Sequence, residues 1–148
     1  MPPGRHEGGM KKTLYWISTV LLAAVLLLGG VMDVLRAPPV VQTVVALGYP
    51  AYLASILGVW KLLGAAAIAA PGLPRLKEWA YAGVLFDLSG AALSHGLSGD
   101  PAAKVAVPLV LLGIAAVSWA LRPATRRLGD VVPDRIVAAG HPVPARAA

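Results

Sequence analysis

The sequence predicts an all-α membrane protein, a bundle of four transmembrane helices with a short interfacial helix between the first two spans. Hydrophobic residues make up 57% of the 148-residue chain and charged residues only 14%, whereas a soluble domain carries roughly 25% charged residues. The charged residues also cluster in short segments that separate long uncharged stretches. This composition excludes a soluble enzyme, a disordered protein and a fibrous repeat.

The first span is predicted over residues 13–32, an uncharged run of 20 residues that matches the roughly 20 needed to cross the hydrocarbon core. Residues 1–12 are predicted to be a disordered, cytoplasmic extension. A cleaved signal peptide is the alternative, since Lys11 and Lys12 precede a Leu- and Ala-rich run. The run is longer than a signal-peptide core and no small-residue cleavage site follows, which favours a retained span.

The remaining elements are delimited by prolines and glycines. Pro38 and Pro39 favour a helix start, and Gly48 followed by Pro50 indicates a stop and a restart. The elements predicted after the first span are a short interfacial helix at 40–47, spans at 50–70, 77–97 and 103–121, and turns at 71–74 and 98–101. Residues 13–121 thus form the transmembrane domain, and residues 122–148 are predicted to be a disordered cytoplasmic tail.

Orientation follows from the distribution of lysine and arginine. Four spans place both termini and the 71–76 turn on one side, which carries ten basic residues against two on the other. The ten are Arg5, Lys11, Lys12, Arg75, Lys77, Arg122, Arg126, Arg127, Arg135 and Arg146, and the two are Arg36 and Lys104. The positive-inside rule therefore predicts a plasma-membrane protein with both termini in the cytoplasm.

Two charges fall inside predicted spans. Lys61 and Asp87 lie 13 residues on either side of Pro74 in the connecting turn, so antiparallel helices bring them to the same depth. An unpaired charge at the centre of a span costs roughly 2.5–3.5 kcal/mol, and pairing removes much of that cost. The sequence therefore predicts an interior Lys61–Asp87 pair.

Small residues flank both charges at helical spacing, which indicates that both stripes face inward and allow close helix approach. They are Ala54, Gly58, Gly64 and Ala65 around Lys61, and Gly83, Gly90, Ala91 and Ser94 around Asp87. Two interpretations stay open. The pair is either a clamp that fixes helix register, or a polar centre that binds a ligand headgroup or moves a proton.

Other polar and aromatic residues extend this candidate site. Asp33 ends the first span, Gln42 lies on the short helix, and His95 lies eight residues beyond Asp87, so Asp33, Asp87 and His95 could line one path to the outer surface. Trp60, next to Lys61, could pack against a flat ligand. The candidate ligand-binding residues are Lys61, Asp87, His95, Trp60, Asp33 and Gln42.

Each of these residues also has a purely structural interpretation. Asp33 would only terminate the first span, His95 would bond a loop carbonyl, and Trp60 would face lipid. Glu78 is expected in a surface ion cluster with Arg75 and Lys77. Trp16, Trp79, Trp119, Tyr15 and Tyr81 are expected in the interfacial aromatic belts.

The sequence lacks the residues that several kinds of catalysis and metal binding require. Cysteine is absent, which excludes thiol catalysis, iron–sulfur clusters and zinc–thiolate sites. The sequence has no phosphate-binding loop, HExxH or GxSxG motif, so we predict no metal site and no catalysis by this chain alone. The net charge of +6 reflects cytoplasmic loops of a membrane protein, not nucleic-acid binding.

The stretch 30–123 resembles the DoxX-like family of small four-helix bacterial membrane proteins. The matching segments are 30–33 (GVMD), 47–53 (LGYPAYL), 57–64 (LGVWKLLG), 74–83 (PRLKEWAYAG), 90–96 (GAALSHG) and 121–123 (LRP). The resemblance implies a four-helix bundle. It also implies a role beside redox proteins, because the family takes its name from a subunit associated with archaeal thiosulfate:quinone oxidoreductase.

Three functions are therefore weighed. The first is a redox-associated subunit, or a binder of a small lipophilic ligand such as quinone. The second is a small transporter or proton-linked permease that uses the same charges. The third is a non-catalytic assembly subunit of a membrane complex, for which the partners are the bilayer, a membrane or redox protein, or further copies of the chain.

Overall fold

The computed structural model describes residues 5–128, and these residues form helices joined by short turns. The five α-helices are α1 (Arg5–Val34), α2 (Pro38–Ala46), α3 (Tyr52–Ala69), α4 (Pro74–Leu97) and α5 (Ala102–Ala120), followed by a short 3-10 helix, Ala124–Arg126. The all-helical prediction is confirmed, and the predicted spans fall on α1, α3, α4 and α5.

Three of the described helices are long and apolar enough to cross a membrane: Gly8–Val34 within α1, Tyr52–Ala69 and Ala102–Ala120. The 24-residue α4 is not among them, because polar residues such as Asp87 and His95 lower its mean hydropathy. The structure therefore shows a helical protein with three apolar candidate spans, and the fourth span remains a proposal.

The core lies where α1, α3, α4 and α5 meet. α1 packs against α3 and α5, while α4 packs against α5 and α3. Apolar side chains from all four helices interdigitate there, including Leu22, Leu26, Ile68, Val84, Leu88 and Ala115. This arrangement holds the faces of α1, α3 and α4 that carry Asp33, Lys61 and Asp87 towards one another.

The crossing of α1 and α3 is close because glycines meet there. A Cβ added at Gly58 would lie 2.7 Å from the backbone nitrogen of Val34 and 2.8 Å from the Cβ of Asp33. One added at Gly30 would lie 3.0 Å from the carbonyl oxygen of Gly58. Gly58 and Lys61 are three residues apart and so share a face of α3. The glycine contact therefore brings Lys61 to α1.

The predicted short helix is confirmed as α2, a separate element that begins at Pro38. It ends before Gly48, whose φ of +87° is a backbone conformation that glycine adopts without the strain of a side chain. All nine residues of α2 are described, and none of them is buried. α2 thus lies against α1 and α3 without entering the core.

Within residues 5–128, the first and last segments are more regular than the sequence suggests. α1 begins at Arg5, so residues 5–12, expected to be disordered, form the first turns of this helix. At the other end Arg122 is buried and residues 124–126 form the 3-10 helix, so the predicted tail does not begin at residue 122. The expectation for residues 129–148 lies outside the described residues.

Candidate functional site

Three charged side chains meet between α1, α3 and α4. The Lys61 Nζ donates a hydrogen bond of 2.7 Å to the Asp33 Oδ2 and lies 3.8 Å from the Asp87 Oδ2. The predicted meeting of Lys61 and Asp87 is therefore observed, but Asp33 is the closer partner. The sequence predicts Asp33 on a path to the outer surface, or only at the end of the first span, and does not predict its bond to Lys61.

The cluster is unbalanced in charge. With both carboxylates ionised, the Asp33–Lys61–Asp87 cluster has two negative charges and one positive charge. Asp33 is almost fully buried, whereas Lys61 and Asp87 keep 24% and 19% of their side-chain surface exposed. Asp87 is thus the carboxylate that is both farther from the ammonium and more accessible.

One cavity in the described structure is a cleft between α3 and α4, with a volume of about 530 Å³. Among the described residues that line it, Lys61 and Asp87 are the charged ones, and most of the others are apolar. Trp60, Trp79 and Phe86 line the cleft and are 67%, 78% and 73% exposed. We call this the α3–α4 cleft.

The second cavity, of about 960 Å³, lies on the other side of the same charges. One wall is formed by α2, and the polar residues in its lining are Asp33, Thr43, Tyr49, Lys61, Asp87, Ser94, His95 and Ser98. We call it the α2 cavity. Because Lys61 and Asp87 line both cavities, the charged cluster forms the boundary between an apolar space and a more polar one.

The small residues that flank the charges have two different roles. Gly58 packs tightly on α1, and Ala54 and Ala65 are buried. Gly64, Gly83 and Gly90, by contrast, have open space where a Cβ would be. The expectation that both stripes bring helices into close contact therefore holds at the α1–α3 crossing and is wrong at these three glycines, which leave space beside the cavities.

The other predicted site residues are only partly brought together. Trp60 lies at the α3–α4 cleft and His95 at the α2 cavity. Gln42 is exposed and is not among the residues that line either cavity. Gln42 therefore lies apart from the candidate site.

The side chain of His95 is bound to a carboxylate. Its structural interpretation predicted a bond to a loop carbonyl instead. Its Nδ1 lies 2.7 Å from the Asp100 Oδ2, and Lys104 donates a hydrogen bond of 2.8 Å to the Oδ1 of the same residue. Because an ionised carboxylate only accepts hydrogen bonds, the Nδ1 is the donor. Lys104 and then His95 hold the pKa of Asp100 below its usual value.

Glu78 belongs to a helix–helix contact that the sequence analysis missed. Its carboxylate accepts a hydrogen bond of 2.7 Å from the Arg122 Nη2 and one of 2.9 Å from the Trp119 Nε1. The expected cluster with Arg75 and Lys77 is wrong. Lys77 is instead 1% exposed and donates to the carbonyl oxygens of Ala67, Ile68 and Ala70.

A hydroxyl network lies beside this contact. The Ser118 Oγ lies 2.7 Å from both the Thr19 Oγ1 and the Tyr81 OH, and Arg126 donates to the Tyr15 OH at 3.3 Å. Tyr15 and Tyr81 are buried in the helix bundle, whereas the sequence predicts them in the interfacial aromatic belts. The run of basic residues after α5 could have indicated that this segment packs against the helix ends. Such residues commonly bond the last carbonyls of helices.

The arrangement can hold a polar headgroup but offers no metal site in residues 5–128. No group of three His, Asp or Glu side chains in that range could hold a metal ion. The Lys61 ammonium has three hydrogen-bond donors, and the Asp87 carboxylate can accept a bond from a ligand or take a proton. These groups could orient one polar end of a molecule whose remainder lies in the apolar cleft.

Apolar helices that bury a charged cluster define the protein as a helical membrane protein. A family model supports this class directly: the DoxX-like family matches residues 17–118, which contain α3, α4, α2 and most of α1 and α5. The chain belongs to the DoxX-like family. Comparison with curated proteins and with solved structures gave no match.

Proposed function

We propose that the chain is a multi-pass protein of the bacterial plasma membrane with four spans and both termini in the cytoplasm. The 24 residues of α4 rise about 36 Å, which is enough to cross the hydrocarbon core. Short turns join α4 to α3 and α5, and its central charge lies beside Lys61. The ten-to-two distribution of basic residues supports the orientation.

Reporter fusions test this topology. Alkaline phosphatase joined after Ala148 is expected to be inactive, because that enzyme needs the oxidising periplasm to form its disulfides. The same reporter inserted at Gly99 in the α4–α5 turn should be active. The opposite pair of results contradicts the orientation, and activity at both positions contradicts the four-span topology.

We propose further that the protein is a redox-associated membrane subunit that binds a small lipophilic ligand, with quinone as the ligand class. The observation that carries this proposal is the α3–α4 cleft, whose charged lining residues among those described are Lys61 and Asp87. Its volume of about 530 Å³ lies in the range of ligand pockets, which are mostly apolar with a few polar groups that fix orientation.

The geometry fits a molecule that has a polar head and an apolar body. Trp60 and Trp79 offer flat apolar surfaces, and the open space at Gly64 and Gly83 gives a ring room beside the helices. An ammonium donor of Lys61 could bond a carbonyl oxygen at the inner end of the cleft. The exposure of Trp60, Trp79 and Phe86 supports entry from the hydrocarbon of the bilayer.

A thermal-shift experiment with a cleft-filling variant tests this binding. A short-chain quinone at about a hundred times its Kd should stabilise the wild type by about 2.7 kcal/mol. Gly83→Leu should abolish the shift, because its side chain enters the cleft. Gly113→Leu is the matched control, because Gly113 is also an exposed helical glycine with open space but does not line the cleft.

The control must keep the wild-type shift for the experiment to locate the ligand. No shift in wild-type protein purified free of endogenous quinone contradicts quinone binding. A shift that survives Gly83→Leu contradicts the cleft as its location.

A small transporter is the second candidate, favoured by the position of Lys61 and Asp87 between two cavities. A substrate held at these residues could be reached from either cavity in turn. Liposome flux tests this candidate. Uptake above that of empty vesicles, lost in both Lys61→Met and Asp87→Asn, supports transport, whereas flux equal to empty vesicles across a broad solute screen contradicts it.

A further inference from the structure

We infer that Asp87 binds a proton that exchanges with the aqueous face next to α2, by way of the α2 cavity. The inference goes beyond ligand binding in the α3–α4 cleft, and its test uses no quinone. It depends on three observations: the charge balance at Asp87, the asymmetric lining of the two cavities, and the position of His95.

The charges around Asp87 give the first reason to place a proton on its carboxylate. Lys61 makes its 2.7 Å hydrogen bond to Asp33, whereas the Asp87 Oδ2 lies 3.8 Å from Nζ, beyond hydrogen-bond distance. One ammonium thus faces two carboxylates. An ionised carboxylate that lacks a hydrogen-bond donor is costly in an apolar interior, and a proton on Asp87 would leave the cluster neutral.

The groups around Asp87 show no other compensating charge among residues 5–128. Asp33 faces it from α1 and Lys61 from α3, and His95 lies farther along α4 in the α2 cavity. The residue that α5 contributes to that cavity is Leu111, and the α2 residues that line it are Pro39, Val40, Thr43 and Val44. Lys61 is therefore the only cation near Asp87 in the described structure.

The two cavities differ in the route that they offer a proton. The α3–α4 cleft is lined mostly by apolar side chains, which cannot relay a proton. The α2 cavity has hydroxyl groups and an imidazole in its lining, including Tyr49, Ser94 and His95. Its volume of about 960 Å³ far exceeds the roughly 30 Å³ that one water molecule occupies in the liquid.

His95 occupies the far end of this route. It lies eight residues beyond Asp87 on α4, about 12 Å along the helix axis, and its Nδ1 is bound to Asp100 in the following turn. A neutral imidazole has one nitrogen that donates a hydrogen bond and one that accepts, so it can pass a proton on. Water in the α2 cavity would connect His95 to Asp87, so protons reach Asp87 from the α2 face only.

A carboxyl-specific reagent in vesicles tests the inference. Dicyclohexylcarbodiimide is lipophilic and reacts with protonated carboxyl groups, so it can reach Asp87 through the hydrocarbon. Proteoliposomes of known orientation would be held at separately set internal and external pH, and labelling of the α4 peptide measured by mass spectrometry. Labelling of Asp87 should fall about tenfold for each pH unit above its midpoint when the α2 face is titrated.

Titration of the opposite face should leave labelling unchanged. Gly90→Leu should slow the response to pH at the α2 face, because Gly90 lines the α2 cavity and has open space for a side chain. Gly113→Leu, which lies at neither cavity, should respond like the wild type. Labelling that follows the opposite face, or that is independent of pH on both faces, overturns the inference, as does the absence of labelling at any pH.

Infrared spectroscopy gives a second readout without the reagent. The C=O stretch of a protonated carboxyl should be present in the wild type and lost in Asp87→Asn, and it should weaken in Asp33→Asn, which leaves Lys61 and Asp87 as a balanced pair. If the band is absent from the wild type when the α2 face is acidic, Asp87 holds no proton and the inference fails.

Discussion

Lys61 donates its hydrogen bond to Asp33, 28 residues earlier in the chain, at a distance of 2.7 Å. This contact joins α1 to α3, whereas the pairing expected from helix depth joined α3 to α4. Asp87 is consequently the less constrained carboxylate of the cluster, at the boundary of both cavities. From this difference we propose a structural role for Asp33 and a functional role for Asp87.

Substitution of Asp33 and of Asp87 should show that their interaction energies with Lys61 differ. In a double-mutant cycle the pair Lys61→Met and Asp33→Asn should have an interaction energy of roughly 1–3 kcal/mol, as expected for contacting charged groups. The pair Lys61→Met and Asp87→Asn should have a smaller one. Thermal melts in detergent measure both cycles, and equal coupling would show that the two carboxylates share Lys61 evenly.

Leucine substitutions at Lys61 and Asp87 separate a clamp from a functional site. Lys61→Leu combined with Asp87→Leu should harm folding less than the sum of the single changes, because the second change removes the carboxylate that Lys61→Leu alone would leave beside Asp33. A clamp predicts that this double variant keeps quinone binding. A ligand site predicts a folded protein that no longer binds quinone, which is the outcome we expect.

Gly58→Ala should destabilise the α1–α3 crossing. The added Cβ would lie 2.8 Å from the Gly30 carbonyl oxygen and 2.7 Å from the Val34 nitrogen, and these backbone atoms cannot move aside independently. A loss of roughly 1–3 kcal/mol is typical of such overpacking. Gly64→Ala, on the same helix but with open space, is the control and should melt within about 0.5 kcal/mol of the wild type.

Glu78→Gln should destabilise the contact between α4 and α5. The variant removes the negative charge that pairs with Arg122. The Arg122 side chain is 3% exposed, and its Nη1 has no hydrogen-bond partner among the described residues. Because Glu78 is 33% exposed, water compensates in part, and we expect a loss of about 1–3 kcal/mol. Arg75→Gln, at an exposed position, should be neutral, and a neutral Glu78→Gln would contradict the proposed contact.

Asp100 predicts a specific dependence of stability on pH. Its pKa is lowered in the folded protein by Lys104 and then by His95, so its contribution to stability is complete above the ordinary value of about 3.9. The contribution is lost as the pH falls through the lower, folded value. Melts of wild type and Asp100→Asn should therefore differ near neutral pH and converge in acid, and a gap that widens in acid contradicts this sign.

The sequence predicted those features that depend on local signals. Uncharged runs, the prolines at 38 and 39 and the glycine at 48 were enough to place the helices and the separate α2. Equal distance from Pro74 was enough to bring Lys61 and Asp87 to one depth. These inferences need only helical geometry and the length of a bilayer span.

Contacts between distant segments could not be predicted in the same way. Asp33 looked like the end of a span because nothing local shows that Gly30 and Gly58 bring α1 against α3. The partners of Glu78 are 41 and 44 residues away, so its near neighbours Arg75 and Lys77 were the natural but wrong choice. Small residues were equally ambiguous, since the same residue type permits close packing at Gly58 and leaves open space at Gly83.

Photolabelling with an azido-quinone tests most directly whether the α3–α4 cleft holds a lipophilic ligand beside the charged cluster. Mass spectrometry of the labelled protein in nanodiscs would locate the modified peptides. We expect labels on the segments of α3 and α4 that carry Trp60 and Phe86, reduced by excess unmodified quinone and absent in Gly83→Leu. Labels spread over the lipid-facing sides of α1 and α5, with no competition by unmodified quinone, would contradict it.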